Sequence, residues 1–283
     1  MTDEAPIASA ADRTGTIPLP DGGRLAYEVH GARHDGPAVL LLRPIVGGVA
    51  LWGPFVDALA ARLRVITYDP RGTGGSSDAP ASATTRDLAR DAVALLDALD
   101  EPVAHVFGLS FGAMVATWLA IDAPNRVARL CLASAGPTGL ALSAEGVRRG
   151  VEMAATALVP GDAPAARLAG EVLSRDVREH DPALVAEVEA VAAEAPTDRL
   201  ELLKRTLAAA RHDARDELHR IAAPTLVLTG DHDELFGPEP SAELAAGIAG
   251  ARREVIPDAG HDLSLEQPAA TAARVLDFLL AAT

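Results

Sequence analysis

The sequence predicts an α/β fold with a doubly wound, mostly parallel sheet and a helical cap inserted into it. Short apolar runs, typical of strands buried on both faces, alternate with amphipathic helical patterns along most of the chain. The alternation stops after residue 136 and resumes at residue 224, and the stretch between carries helical patterns with almost no strand-like run. A chain of 283 residues is long enough for one such core with an insertion.

The core is predicted to begin with a β-hairpin, because apolar residues alternate with polar ones on both sides of the turn Asp21-Gly22-Gly23. The later apolar runs predict buried strands at 39–42, 64–68, 103–107, 128–133, 225–228 and 254–256. Core helices are predicted at 85–99, at 113–122 and from about 265 to 281. Strand and helix thus alternate, which favours a sheet with helices on both faces.

The interruption of this pattern sets the expected boundaries. We expect residues 16–136 and 216–283 to form the core, residues 137–215 the cap, and residues 1–15 a flexible N-terminus. Helical spacing within the cap is shown by Leu184, Val188 and Val191, and by Leu200, Leu203 and Leu207. The starts of these helices, or the links between them, are marked by Pro160, Pro164, Pro182 and Pro196.

The composition excludes several classes of function. The net charge of −15 and an isoelectric point near 4.9 repel phosphate backbones and anionic lipids, so neither nucleic acid nor a membrane is an expected partner. The single cysteine, Cys131, rules out an intrachain disulfide, and its apolar neighbours predict a buried strand position. The acidic N-terminus is unlike a signal peptide and no apolar run reaches about 18 residues, so we expect a cytoplasmic protein.

The strongest motif is Gly108-Leu109-Ser110-Phe111-Gly112, which lies between a predicted strand and a predicted helix. A sharp strand-to-helix turn forces its serine into strained backbone angles, and small residues two positions before and after it avoid collisions. The turn would hold the Ser110 hydroxyl at the carboxyl end of the sheet and at a helix N-terminus, where an oxyanion is stabilised. Ser110 is therefore the predicted nucleophile.

A serine nucleophile requires a base and a carboxylate that orients the base. Of the eight histidines, His261 fits best, because it follows an apolar run on a loop expected at the carboxyl edge of the same sheet. His232 is the one competitor, but it flanks the candidate acid. Asp231 and Asp233 both follow the strand at 225–228, and sites of open α/β sheets assemble at such strand ends. We favour Asp233 as the acid.

The order Ser110, Asp233, His261 and the loop sequences around these residues resemble the α/β-hydrolase superfamily. The turn at 69–76 is similar to the D-x-R-G-x-G-x-S turn that follows the fourth strand in that family. The resemblance extends from about residue 16 to the C-terminus and is weakest in the cap. Residues 65–135 most resemble 3-oxoadipate enol-lactonases and related capped esterases, which implies a catalytic triad of the three residues and an oxyanion hole.

Enzymes of this superfamily often carry His-Gly after the third strand, and the next residue donates a backbone N–H to the oxyanion hole. The equivalent residues here are Arg43, Pro44 and Ile45. Because proline has no N–H, the resemblance assigns the oxyanion hole to the N–H groups of Ile45 and Phe111.

Arg43 has two interpretations. It could anchor a carboxylate or another oxygen-rich group of the substrate, or it could pair with an acid such as Asp69 or Asp262. We favour the pairing. Trp52 and Phe236 lie near the motifs in sequence and are further candidate substrate contacts, although each also fits a place in the core.

Together these features predict a serine hydrolase that cleaves a carboxylic ester or lactone of a small organic molecule through an acyl-enzyme. Hydrolysis of a carbon–carbon bond, perhydrolysis and acyl transfer to another acceptor use the same triad and stay open. A receptor that binds a small molecule with negligible turnover is the alternative of another class. Neither a cofactor nor a metal is expected, because the glycine-rich turn at 72–75 lacks the lysine and spacing of a phosphate loop and the sequence offers no metal-ligand cluster.

Overall fold

The computed structural model of the protein describes residues 11–139, 164–195 and 197–282, together with positions 148, 151 and 155. Within these residues, eight strands form one sheet. The strands are β1 (Arg13–Pro18), β2 (Arg24–His30), β3 (Val39–Leu42), β4 (Val65–Tyr68), β5 (Ala104–Leu109), β6 (Val127–Ala133), β7 (Thr225–Gly230) and β8 (Arg252–Ile256).

The strands follow the order β1-β2-β4-β3-β5-β6-β7-β8 across the sheet. The hairpin strands β1 and β2 pair antiparallel, and β2 pairs antiparallel with β4, whereas the remaining pairs are parallel. The chain moves outward in opposite directions from β3 and β5, so the loops after these central strands meet at a switch point on the carboxyl edge. The predicted doubly wound, mostly parallel sheet is confirmed.

Helices cover both faces of this sheet. In chain order they are α1 (Gly53–Ala60), α2 (Thr85–Ala98), α3 (Phe111–Asp122), α4 (Pro164–Glu171), α5 (Arg175–His180), α6 (Pro182–Glu194), α7 (Arg199–Ala210), α8 (Pro238–Gly247), α9 (Leu263–Glu266) and α10 (Pro268–Leu279). Alternate residues of β3 enter different apolar clusters: Leu40 and Leu42 pack on the side of α2 and α3, and Val39 and Leu41 pack on the side of α1 and α10. The period of two along a strand explains this division.

The final helix differs from its prediction. A single helix was expected from about 265 to 281, but the structure contains α9 and α10, with Gln267 between them in a non-helical conformation. Pro268 is the reason, because its missing N–H and its ring prevent it from continuing a helix while favouring the first turn of a new one.

Helices α4 to α7 lie within the predicted cap, residues 137–215. Pro164 and Pro182 begin α4 and α6, whereas Pro160 and Pro196 lie outside the described residues. The two ends of this insertion run side by side, since the Gly139 N–H donates to the His212 carbonyl at 2.7 Å and the Ala214 N–H donates to the Pro137 carbonyl at 2.9 Å.

The sheet begins earlier than the predicted core boundary at residue 16, because β1 starts at Arg13 and pairs there with β2. Residues 1–10 of the predicted flexible N-terminus lie outside the described residues. Cys131 is fully buried in β6, as predicted, and burial raises the pKa of its thiol. In the part of the chain that the structure describes, no helix has both the length and the apolar character needed to cross a bilayer.

Candidate active site

The turn at Ser110 joins β5 to α3 and places this residue at φ 56° and ψ −118°. Such a positive φ is strained for a residue with a side chain. Gly108 and Gly112 permit the turn: a Cβ at Gly108 would lie 2.5 Å from the Gly112 carbonyl oxygen, and a Cβ at Gly112 would overlap the Leu42 carbonyl oxygen. These glycines let α3 pack directly against the ends of β3 and β5, so the Ser110 hydroxyl lies at the carboxyl edge of the sheet.

His261 lies on the loop between β8 and α9, and its Nε2 is 2.7 Å from Ser110 Oγ. At this distance the ring can accept the hydroxyl proton. Glu266 holds the loop, because its carboxylate accepts the N–H of Gly260 at 3.0 Å and the N–H of Ser174, in the predicted cap, at 2.8 Å. A side chain at Gly260 would collide with the Glu266 carboxylate and with the Ser174 backbone, so glycine is required there.

Asp233 contacts the other nitrogen of the imidazole. Both of its carboxylate oxygens lie 3.1 Å from His261 Nδ1, and the N–H groups of Leu235 and Phe236 donate to Oδ1 at 2.9 and 3.0 Å. The Phe236 ring stacks on the imidazole with a centroid separation of 5.8 Å. Asp231 is exposed, and its carboxylate accepts a backbone N–H of the histidine loop at 3.3 Å. The structure therefore brings the predicted nucleophile, base and acid together in one chain of contacts.

The charges around His261 favour its protonated form. Burial disfavours the imidazolium, but the charge and hydrogen bonds of Asp233, with contributions from Asp262 and Glu266, hold the pKa of His261 above its ordinary value. Burial also disfavours the Asp233 carboxylate, yet His261 and the two N–H donors hold the pKa of Asp233 below its ordinary value. Asp233 is thus ionised at neutral pH and is placed to stabilise an imidazolium.

The predicted oxyanion donors, Ile45 and Phe111, are both buried at this edge of the sheet. Phe111 is the first residue of α3, so its N–H has no acceptor within the helix. Ile45 follows β3, whose end packs against Gly112 through the Leu42 and Arg43 carbonyls. Among the described residues, neither N–H donates a hydrogen bond to a protein group. Both predicted donors therefore have a backbone N–H that no described protein group accepts.

Arg43 and Trp52 are both buried, and they contact each other. The Arg43 guanidinium is buried, with Nη2 3.5 Å from Asp262 Oδ2 and its central carbon 4.5 Å from the Trp52 ring centroid. Burial lowers the pKa of Arg43 against the opposing charge of Asp262. Trp52 is fully buried against Phe55 of α1 and Phe107 of β5. Arg43 therefore contacts Asp262, as the favoured interpretation predicted, but Arg43 Nε and Nη1 and Trp52 Nε1 have no hydrogen-bond partner among the described residues. A role of Arg43 or Trp52 in contacting substrate stays a prediction.

The sequence analysis missed two charged residues of this region, the half-buried Glu266 and the fully buried Arg205. Both join the predicted cap to loops of the site, as the hydrogen bonds of Arg205 to the Ile45 and Arg71 carbonyls illustrate. The helix predicted from Leu200, Leu203 and Leu207 forms, but Leu200 and Leu207 are 60% and 42% exposed. Its buried face instead contains Glu201, Leu202, Arg205 and Ala208. The only sequence signal for a buried Arg205 was its spacing of four residues from Glu201. Such spacing usually indicates an ion pair exposed to solvent, so it did not predict burial.

One cluster could supply metal ligands. The side chains of Asp231, His232 and Asp258 are exposed, and their ligand atoms lie within 4.8 Å of one another. Exposed acidic groups commonly lie together without an ion. The three side chains of the predicted triad contact each other directly, and proton transfer along such an arrangement would need no metal.

The chain is similar to known proteins along most of its length. A family model described as alpha/beta hydrolase fold matches residues 37–268. The protein named "Putative carbamate hydrolase RutD" of Variovorax paradoxus (strain S110) is 36% identical over 261 residues, which cover 90% of this chain and 96% of that protein.

Two solved structures extend this similarity to three dimensions. A hydrolase from Pseudomonas aeruginosa PA01 is 34% identical with a TM-score of 0.83, covering 95% of this chain and 99% of that one. The enol-lactonase from Burkholderia xenovorans LB400 is 28% identical with a TM-score of 0.84, covering 94% of this chain and 100% of that one.

Gly112→Ala tests the close approach of α3 to β3. The added methyl group would overlap the Leu42 carbonyl oxygen, and neither backbone can give way without moving the nucleophile turn. We expect the free energy of unfolding in urea to fall by about 3 kcal/mol, at the upper end of typical overpacking effects. Gly22→Ala is the control, because open space surrounds that position, and its positive φ alone should cost about 1 kcal/mol. Equal losses would contradict the proposed steric requirement.

Proposed function

This chain belongs to the alpha/beta hydrolase fold family, and on that premise we propose that it is a serine hydrolase that cleaves a carboxylic ester or lactone of a small molecule. The observation that carries the proposal is the contact chain from Ser110 Oγ to His261 Nε2, at 2.7 Å, and from His261 Nδ1 to Asp233, at 3.1 Å. An isolated serine hydroxyl is a weak nucleophile at neutral pH, and an adjacent oriented base is what activates it.

The first step forms the acyl-enzyme. Ser110 Oγ attacks the carbonyl carbon while His261 Nε2 removes the hydroxyl proton, and the carbonyl oxygen becomes an oxyanion. The resulting imidazolium is stabilised by the Asp233 carboxylate at Nδ1. Collapse of the tetrahedral intermediate breaks the bond to the alcohol oxygen, which takes the proton from His261 Nε2. With a lactone, that alcohol stays attached to the acyl group.

The second step releases the acid and restores the enzyme. His261, now neutral, removes a proton from water as the water oxygen attacks the acyl carbon. When the second tetrahedral intermediate collapses, the bond to Ser110 Oγ breaks and the serine oxygen takes the proton back. The N–H groups of Ile45 and Phe111 are the proposed donors to the oxyanion in both steps, and each such donor is typically worth on the order of 10²–10³ in rate.

Carbamate hydrolysis is a second candidate, supported by the name of the relative that is 36% identical over 90% of this chain. A carbamate presents the same carbonyl carbon to Ser110, and the same two donors would hold its oxyanion. Donation from the carbamate nitrogen makes this carbon less electrophilic than that of an ester. The two candidates therefore differ in substrate rank order and share one nucleophile.

Substrate class and nucleophile can be tested together with p-nitrophenyl esters of increasing acyl length, γ- and δ-lactones and aryl carbamates. We expect Ser110→Ala to lower kcat on the best substrate by on the order of 10⁶, because triad members act as a unit. Ser82→Ala, at an exposed position on another loop, should retain wild-type turnover. Retained turnover in Ser110→Ala would refute the serine mechanism, and wild-type binding without turnover would favour the receptor alternative.

Asp233→Asn and Asp231→Asn distinguish the two aspartates of one loop. We expect Asp233→Asn to lower kcat by about 10⁴, because an amide no longer holds His261 in the required tautomer or stabilises its charge. Asp231→Asn makes the same chemical change at an exposed carboxylate of the same loop. Its kcat should therefore stay within about threefold of wild type, on the scale of surface substitutions. Similar losses in both variants would mean that the acid is wrongly assigned.

The pH dependence of kcat/KM reports the pKa of the catalytic base in the free enzyme. Neutral His261 is the active form, so activity should rise with pH through the pKa of His261. Because Asp233, Asp262 and Glu266 hold that pKa above its ordinary value, the midpoint should lie above about 6.5. Asp233→Asn removes the largest of the three negative influences and should move the midpoint of the residual activity downward. A wild-type midpoint below about 6 would contradict this arrangement of charges.

A further inference from the structure

Arg205 lies on α7, in the predicted cap, yet its side chain is among the largest that are fully buried in the described protein. Its guanidinium donates to two backbone carbonyls of the core. Nη1 donates to Ile45 O at 2.5 Å, and both Nε and Nη2 donate to Arg71 O at 3.2 Å. Ile45 belongs to the loop after β3 and Arg71 to the turn after β4, so one side chain joins α7 to both segments.

The same two segments are joined by further hydrogen bonds. The Asp69 carboxylate, at the start of the turn after β4, accepts the N–H of Val49 from the loop after β3 at 3.2 Å. Glu201, one helical turn before Arg205 on the buried face of α7, accepts the N–H of Ala79 at 3.1 Å. The loop, the turn and α7 therefore form one hydrogen-bonded unit at the edge of the sheet where Ser110 lies.

Packing alone does not account for a cation in this place. Burial lowers the pKa of Arg205 to about 10, against the opposing effects of Glu201, Asp69 and Tyr68, so the guanidinium stays charged at neutral pH. A buried charge is destabilising unless its hydrogen bonds are satisfied, and an apolar side chain of similar volume would fill the space without that cost. The charged guanidinium differs from an apolar side chain in that it can donate hydrogen bonds to the Ile45 and Arg71 carbonyls at the same time.

We propose that Arg205 is a positioning residue of the oxyanion hole: it holds the Ile45 and Arg71 carbonyls so that docking of α7 fixes the direction of the Ile45 N–H. The inference rests on the proposed function, in which that N–H is a donor to the oxyanion. Pro44 has no N–H, so Ile45, the donor that the family resemblance assigns, is the first residue after Arg43 that can donate one. Fixing the carbonyl of Ile45 restricts rotation of the residue, and oxyanion donors act through such preorganisation.

The experiment compares Arg205→Met and Arg205→Lys with Arg129→Met in the full-length protein. Arg129 is a matched control, because its guanidinium also donates to two backbone carbonyls, those of Phe278 and Ala281, both at 2.8 Å, at the C-terminal end of α10. For each variant, kcat and KM are measured on the best substrate of the wild type, together with the Ki of a trifluoromethyl ketone that forms a hemiketal oxyanion. Hydrogen exchange over residues 43–48 is measured on the same samples.

We expect Arg205→Met to lower kcat by about 10- to 100-fold and to raise the Ki of the ketone in proportion. Displacing an oxyanion donor removes stabilisation mainly from the transition state, which the ketone adduct resembles. KM should change by less than about threefold, since the donor contributes little to ground-state binding. Arg205→Lys should recover part of the loss, and Arg129→Met should lower Tm without changing kcat. Exchange over 43–48 should increase in Arg205→Met and stay unchanged in Arg129→Met.

Unchanged kcat and ketone affinity in folded Arg205→Met would overturn the inference, even if its Tm falls. If the wild type turns over none of the substrates, the proposed function fails instead, and hydrogen exchange then tests the positioning separately. Exchange over 43–48 that increases in Arg205→Met but not in Arg129→Met would support Arg205 as the residue that orders this loop. Unchanged exchange in Arg205→Met would overturn the ordering role too.

Discussion

Strand β3 and helix α3 approach each other more closely at Gly112 than any side chain would allow, and the rest of the site depends on this approach. It leaves Ser110 at a φ of 56°, between a glycine that contacts the first turn of α3 and a glycine that contacts the Leu42 carbonyl. The strained turn is stabilised by the buried elements on either side of it. The loop after β3 and the loops after β7 and β8 then have fixed positions relative to one hydroxyl group.

Several charged side chains around this turn are hydrogen-bonded to partners from distant parts of the chain. Asp233 follows β7 and holds His261, which follows β8, and Glu266 links that histidine loop to Ser174 in the predicted cap. Arg205 makes the corresponding link from α7 to the loop after β3. Each of these links joins separate segments of the chain and so restricts several loops at once. Breaking a link would leave a charge or an N–H unpaired, which is destabilising where the group is buried. The helices over the sheet therefore help to shape the site itself.

The features that the sequence predicted well are carried by local patterns. Apolar runs of strand length gave the sheet, and the glycines around Ser110 gave the strand-to-helix turn, because both depend on a few consecutive residues. Long-range packing decided the rest. The sequence could not show that the leucines of α7 are exposed while Arg205 is buried, nor that the Trp52 ring is enclosed by Phe55 and Phe107. Asp233 was preferred over Asp231, and the contact with His261 that distinguishes them spans 28 positions of sequence.

Covalent modification tests most directly whether Ser110 is an activated nucleophile. Wild type and Ser110→Ala would be incubated with a fluorophosphonate, and the mass of the intact protein and of the peptide containing residue 110 would be determined. Attack by an activated serine predicts a single adduct, located on Ser110 in the wild type and missing from the variant, that forms more slowly as His261 becomes protonated at low pH. A wild-type protein that stays unmodified, or an equal adduct on Ser110→Ala, would contradict the central claim.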